Sequence, residues 1–117
     1  VLPVKLSGQQ WRERALESIR EAASSAALVI PGRVADQIAD YEREPQDVLF
    51  WLSDLSEYEL DKGPEPCEHF ADCMMFSVRI HEGTSHWGNI CWYMHVSISS
   101  TDPAMVCVRS FKPDGSR

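Results

Sequence analysis

From residue 8 onward, apolar side chains recur every three or four positions: Trp11, Ala15, Leu16, Ile19, Ala22, Ala23 and Ala26. That period belongs to an amphipathic helix. Ser7, with Gln10 three residues on, has the pattern of a capping box, and Pro31-Gly32 is a stop. The spacing predicts a helix over 8–28, and its many alanines favour helix and let a neighbour approach closely. A second helix is expected over 33–43, with Val34, Ile38 and Tyr41 on its buried side and Asp36, Asp40 and Arg43 on its wet side. Pro45 suits a first helical turn and opens a third helix, expected over 46–59 on Val48, Trp51, Leu52 and Leu55. Phe50 beside Trp51 makes its apolar arc wider than one neighbour needs.

Asp61-Lys62-Gly63-Pro64-Glu65-Pro66 reads as a break. Beyond it the period drops to two. Phe76, Val78 and Ile80 alternate with Met75, Ser77, Arg79 and His81; Ile90 to Ile98 and Val106 to Val108 alternate in the same way. These are strands with one apolar face, joined through loops at 83–88 and 100–103. The expected fold is α+β: about three N-terminal helices (7–60) packed on one face of a C-terminal three-stranded antiparallel β-meander (67–111). Residues 112–117 are expected to fray, and Val1–Leu6 to be an arm or a short edge strand. The 117 residues, 44% hydrophobic and 25% charged, fit one domain spanning 1–117. Both sheet edges then need covering by the arm, a helix or another copy.

Charge adds a local feature. The net charge is -7, and it is concentrated. Residues 36–68 carry eleven carboxylates against Arg43 and Lys62, a net of -9, whereas residues 1–35 carry five basic and three acidic groups. The plain reading is a solvated helix face and an acidic loop. The sharper reading is a docking surface for a basic protein partner, built from Asp40, Glu44, Asp47, Asp54, Glu57, Glu59 and Asp61. The overall acidity argues against nucleic acid as a partner.

Alternation also gathers an unusual set on the far face of the sheet: Met75, Arg79, Cys91, Tyr93, His95, Met105, Cys107 and Arg109. Pairing Ile80 with Ile90 and Val96 with Val106 would set Arg79 opposite Cys91 and His95 opposite Cys107; a two-residue slip would change partners but not faces. Arg79, Tyr93, His95, Cys107 and Arg109 form a contact face in this reading, for a homodimer or another partner. The alternative is ordinary loop cover.

The chemical motifs are sparse. Cys67-x-His69-x3-Cys73 offers three metal ligands but lacks the usual Cys-x2-Cys knuckle. His95 facing Cys107 would be a nucleophile pair with no carboxylate to orient the imidazole. His81, Glu82 and His86, beside Trp87, are acid–base groups on one loop. No phosphate-binding glycine pattern is present. No reaction is fixed, no catalytic residue or cofactor is implied, and the four cysteines read as buried thiols of a cytoplasmic protein. Val1–Leu6 is too short and interrupted for a secretory leader, and Ala26–Ile30, the longest apolar run, is far short of the about 20 residues that cross a bilayer.

Two functions follow. The first is a non-enzymatic accessory, inhibitor or immunity-type protein that binds a partner through 36–68. The second is a binder of cationic or amphipathic small molecules, or a minor enzyme, with an aromatic pocket between the third helix and the sheet. Trp51 and Trp92 would wall that pocket, with Glu57 or Glu59 at its rim.

Overall fold

A computed structural model describes residues 7–67, 72–84, 88–102 and 104–114. Three helices, α1 (Gly8–Ser24), α2 (Gly32–Asp40) and α3 (Pro45–Ser53), precede four strands, β1 (Leu60–Pro66), β2 (Cys73–Thr84), β3 (Gly88–Ser99) and β4 (Val106–Pro113). The strands form one antiparallel sheet in the order β1-β2-β3-β4. The α+β order of elements is as expected, but the three-stranded meander is not. The stretch read as a break is β1, and its two prolines are compatible with an edge strand, which need not donate on both sides. Its pairing with β2 shifts register twice, between Leu60 and Lys62 and between Lys62 and Glu65. Gly63 sits at φ 128°, a conformation open to glycine. The arm Val1–Leu6 lies outside the described residues.

Every helix stops short of its expected end. In α1 and α2 the chain leaves through a left-handed residue, Ala26 (φ 59°) and Glu42 (φ 58°) respectively. Ala27 N–H donates to Ala22 O at 2.8 Å and Arg43 N–H to Ile38 O at 3.1 Å, which closes each end as a Schellman motif. Helix α3 ends at Ser53, so Leu55 is buried from an irregular turn rather than from a helix. Its start is held by Asp47 Oδ2, which accepts from Glu44 N–H at 2.8 Å. At the start of α1, Ser7 Oγ accepts from Gln10 N–H and the Gln10 side chain accepts from Ser7 N–H, the expected capping box.

The helices cover one face of the sheet. Ala15, Ile19, Val34, Ile38, Val48 and Leu52 meet Phe76, Val78, Met94, Val96, Ile98 and Val108 in one buried cluster. The β2–β3 pairing sets Ile80 opposite Trp92 and Arg79 opposite Tyr93, a two-residue slip from the expected register that keeps every side chain on its predicted face. On β4 a bulge intervenes: His95 pairs with Ser110 but Val96 with Val108. The extra residue reverses the alternation and turns Phe111 inward, where it is 2% exposed. β4 also runs to Pro113, into the stretch expected to fray.

Part of each outer strand is covered from the helical side. Val29 pairs with β4, donating to Val106 O and accepting from Val108 N–H, both at 2.9 Å. Arg33 donates to Arg109 O at 3.0 Å, and Gln37 accepts from Phe111 N–H at 3.1 Å. On the opposite edge Arg12 donates to Leu60 O at 2.5 Å and Gly63 O at 3.2 Å. No helix among the described residues is long and apolar enough to cross a membrane.

Candidate functional site

The aromatic residues converge where α2 and α3 meet the sheet. Trp92 stacks on Phe111 (centroids 4.8 Å) and on Trp51 (6.2 Å), and Tyr41 meets Trp92 edge-on at 5.7 Å. Trp92, 2% exposed, is core, as its inward position implies. Its indole N–H still needs an acceptor and finds Glu82 Oε1 at 3.0 Å. The same oxygen accepts from Arg43 at 2.8 Å, and the Arg43 guanidinium lies 5.3 Å from the Trp92 ring. One carboxylate thus serves an indole and a guanidinium at the seam.

Two recesses open on either side of this stack. The first, about 340 Å3, lies between α3 and β2 and is lined by Phe50, Trp51, Ser53, Asp54, Glu59, Ile80 and His81. Phe50 is 76% exposed. The second, about 430 Å3, lies between the end of α2 and the sheet, along Asp40, Tyr41, Glu42, Arg43, Ile90, Trp92 and Pro113. A larger hollow of about 660 Å3 lies over the last turns of α1, but alanines, serines, Glu17, Arg20 and Glu21 line it without an aromatic wall. The first recess has the composition that attracts cations. It has two aromatic side chains and two carboxylates, with no lysine or arginine among its lining residues.

Trp92, expected as a wall of the pocket, stacks on Trp51 but lines the second recess. To the first recess the structure brings Trp51 and, at the rim, Glu59. It does not bring Glu57 there. Glu57 lines a separate small hollow with Arg12, Glu13 and Tyr58. Asp54 takes its place, a consequence of α3 ending at Ser53, since the chain turns at Asp54 instead of continuing helical. Glu59 is held by accepting from Ser56 N–H at 2.8 Å. In the sequence, Phe50 stands out by widening the apolar arc of α3.

The other carboxylates expected in a docking surface have local partners or line other features. Glu44 and Asp47 cap α3, Asp40 lines the second recess, and Asp61 lies 3.5 Å from Arg79 Nε.

The far face of the sheet carries the side chains expected there in a different arrangement. His95 pairs with Ser110, not Cys107, and its Nδ1 shares a 3.1 Å hydrogen bond with Ser110 Oγ. Cys107 lies opposite Ser97. Burial pushes the Cys107 thiol above its ordinary pKa despite the opposing pull of Arg109, and burial followed by Lys112 pushes the His95 imidazole below its own, against Glu65. Both shifts favour neutral forms, so register and electrostatics alike oppose a thiolate–imidazolium pair. Tyr93 donates to Ser77 Oγ at 3.0 Å and Arg109 to Ser97 Oγ at 2.9 Å, which ties the face together internally.

Cys67 and Cys73 are joined in a disulfide across the β1–β2 turn. They are neither the buried thiols expected nor available as thiolate ligands, and His69 lies outside the described residues. Of the loop acid–base groups, Glu82 is engaged by Trp92 and Arg43, while His86 and Trp87 lie outside the described residues. No protein-family model, curated protein or solved structure matches the chain.

Proposed function

We propose that the protein binds a small cationic or amphipathic ligand in the recess between α3 and β2. One observation carries this reading: Phe50 and Trp51 face a cavity of about 340 Å3 whose charged lining residues are Asp54 and Glu59, with His81 the remaining titratable group. An alkylammonium head would gain from both the aromatic faces and the carboxylates, and an apolar tail would rest on Ile80 and Trp51. The reading needs no covalent step. The Cys67–Cys73 disulfide supports work in an oxidising compartment in preference to the cytoplasm.

The test is a tryptophan-fluorescence titration with choline against its neutral carbon isostere, 3,3-dimethylbutan-1-ol. Choline should give a saturable change at about tenfold lower concentration than the alcohol, a preference of the size that cation–π attraction plus a carboxylate supplies. Asp54→Asn with Glu59→Gln should erase the preference, the glutamine keeping an oxygen for Ser56 N–H. Equal response to both compounds would overturn the reading.

A further inference from the structure

Among the described residues, the first recess adjoins an uncapped stretch of sheet edge. Strand β1 stops pairing with β2 at Leu60–Val78, and the last contact is Arg79 N–H donating to Glu59 O at 2.8 Å. Strand β2 continues to Thr84, paired on its other side with β3 without irregularity. Outward-pointing backbone groups alternate along a strand. After Arg79, the next to face the vacated side are the N–H and C=O of His81 and Gly83. The β3 side obeys the same alternation, since Cys91 O faces β4 and accepts from Asp114 N–H at 2.7 Å.

Elsewhere the edges are protected. Arg12 covers β1, and Val29, Arg33 and Gln37 cover β4. The 80–84 segment has neither the proline nor the lysine that proteins place on edges to prevent pairing. Among the described residues, the recess with Phe50, Trp51, Asp54 and Glu59 lies beside it. The edge of β3 past Cys91 adjoins the other recess, where Arg43 adds a cation.

We infer that a basic peptide in extended conformation adds to the sheet at His81–Gly83, continuing the line of β1 and placing a lysine or arginine side chain between Asp54, Glu59 and the Phe50–Trp51 wall. Ladder hydrogen bonds supply sequence-independent affinity, and the recess selects alternate side chains, which is the division of labour in strand addition. Charge complementarity fixes the partner's sign: the lining holds two carboxylates, within a 36–68 segment of net charge -9 (eleven acidic against two basic residues). This rests on the cation-binding reading and names its ligand class.

The experiment uses the full chain and a blocked Val-Lys-Val-Lys-Val peptide. Two twins are N-methylated on alternate backbone nitrogens, and a glutamate version replaces both lysines. The lysine peptide should bind saturably and slow amide exchange at His81 and Gly83. One methylated twin should bind about 25-fold more weakly than the other, since only one set of nitrogens faces the carbonyls of His81 and Gly83 and each of those two ladder bonds is worth about fivefold. The glutamate peptide should not bind. Equal affinity of the twins, or concentration-dependent protection of the same amides by a second copy of this chain, would overturn the inference. Binding of choline without the lysine peptide overturns strand addition alone; failure of both probes removes the cation reading as well.

Discussion

Glu82 Oε1 lies 2.8 Å from Arg43 Nη2, joining the segment between α2 and α3 to the projecting end of β2. Their side chains are 21% and 16% exposed, so water screens the pair only in part. Trp92 Nε1 donates to the same oxygen. Glu82→Ala would leave a half-buried guanidinium and an indole N–H without their acceptor, and should cost about 2–3 kcal/mol in urea unfolding. Glu82→Gln retains an oxygen for Trp92 and should cost about half as much. Equal costs would show that charge alone matters at the seam.

A second relationship concerns Gly63, whose added Cβ would sit 2.5 Å from Phe76 Cδ2 and 2.9 Å from Met75 O. Its positive φ already disfavours any other residue. Gly63→Ala should destabilise by about 2 kcal/mol or more, since Phe76 is fully buried and the second obstacle is backbone. The change should also release the Arg12 contact to Gly63 O. Faster amide exchange along β1, with β3 and β4 unaffected, would locate the damage.

The sequence made legible whatever rests on strict periodicity. Ser7 and Gln10 marked the start of α1, and alternation assigned Phe76, Val78, Trp92, Met94 and Val106 to the core face. Three features escaped because nothing periodic marks them. Strand β1 has one fully buried apolar residue, Leu60, amid prolines and charges. The β4 bulge inserts a residue that reverses alternation before Phe111. Helices α1 and α2 end at an alanine and a glutamate where a glycine would be the usual signal. At the site, Trp51 and Glu59 were readable from composition and spacing. Asp54 was not, because its role depends on α3 ending nearly two turns early.

Those helix ends give a third prediction. Ala26 and Glu42 occupy left-handed positions that cost a side-chain-bearing residue energy and cost glycine none. Ala26→Gly and Glu42→Gly should each stabilise the fold by about 0.5–1 kcal/mol, despite the greater freedom glycine gives the unfolded chain. The two sites end different helices, and the double variant should show nearly additive gains in urea midpoint. A loss in either variant would mean that the left-handed residue is held by side-chain contacts rather than tolerated by the cap.

The last prediction follows from His95. Burial and then Lys112 lower its pKa in the folded protein below 6.5, with Glu65 opposing. A depressed pKa means that the unfolded chain binds the proton more readily, so stability rises with pH across the interval between the folded and unfolded values. Well above 6.5 the imidazole is neutral in both states and contributes no slope. As pH falls below 6.5 the unfolded state takes up the proton first, and stability declines until the folded value is passed. Protonation would also set an imidazolium beside Lys112 and leave Nδ1 able only to donate to Ser110 Oγ. His95→Gln, which keeps a hydrogen-bonding partner for Ser110, should flatten the urea stability profile between pH 7 and 5. Carboxylates titrate mainly below that window, so the difference between wild type and variant isolates the histidine. A wild-type profile that stays parallel to the variant's throughout would show that the imidazole accepts its proton in the folded sheet as readily as in water.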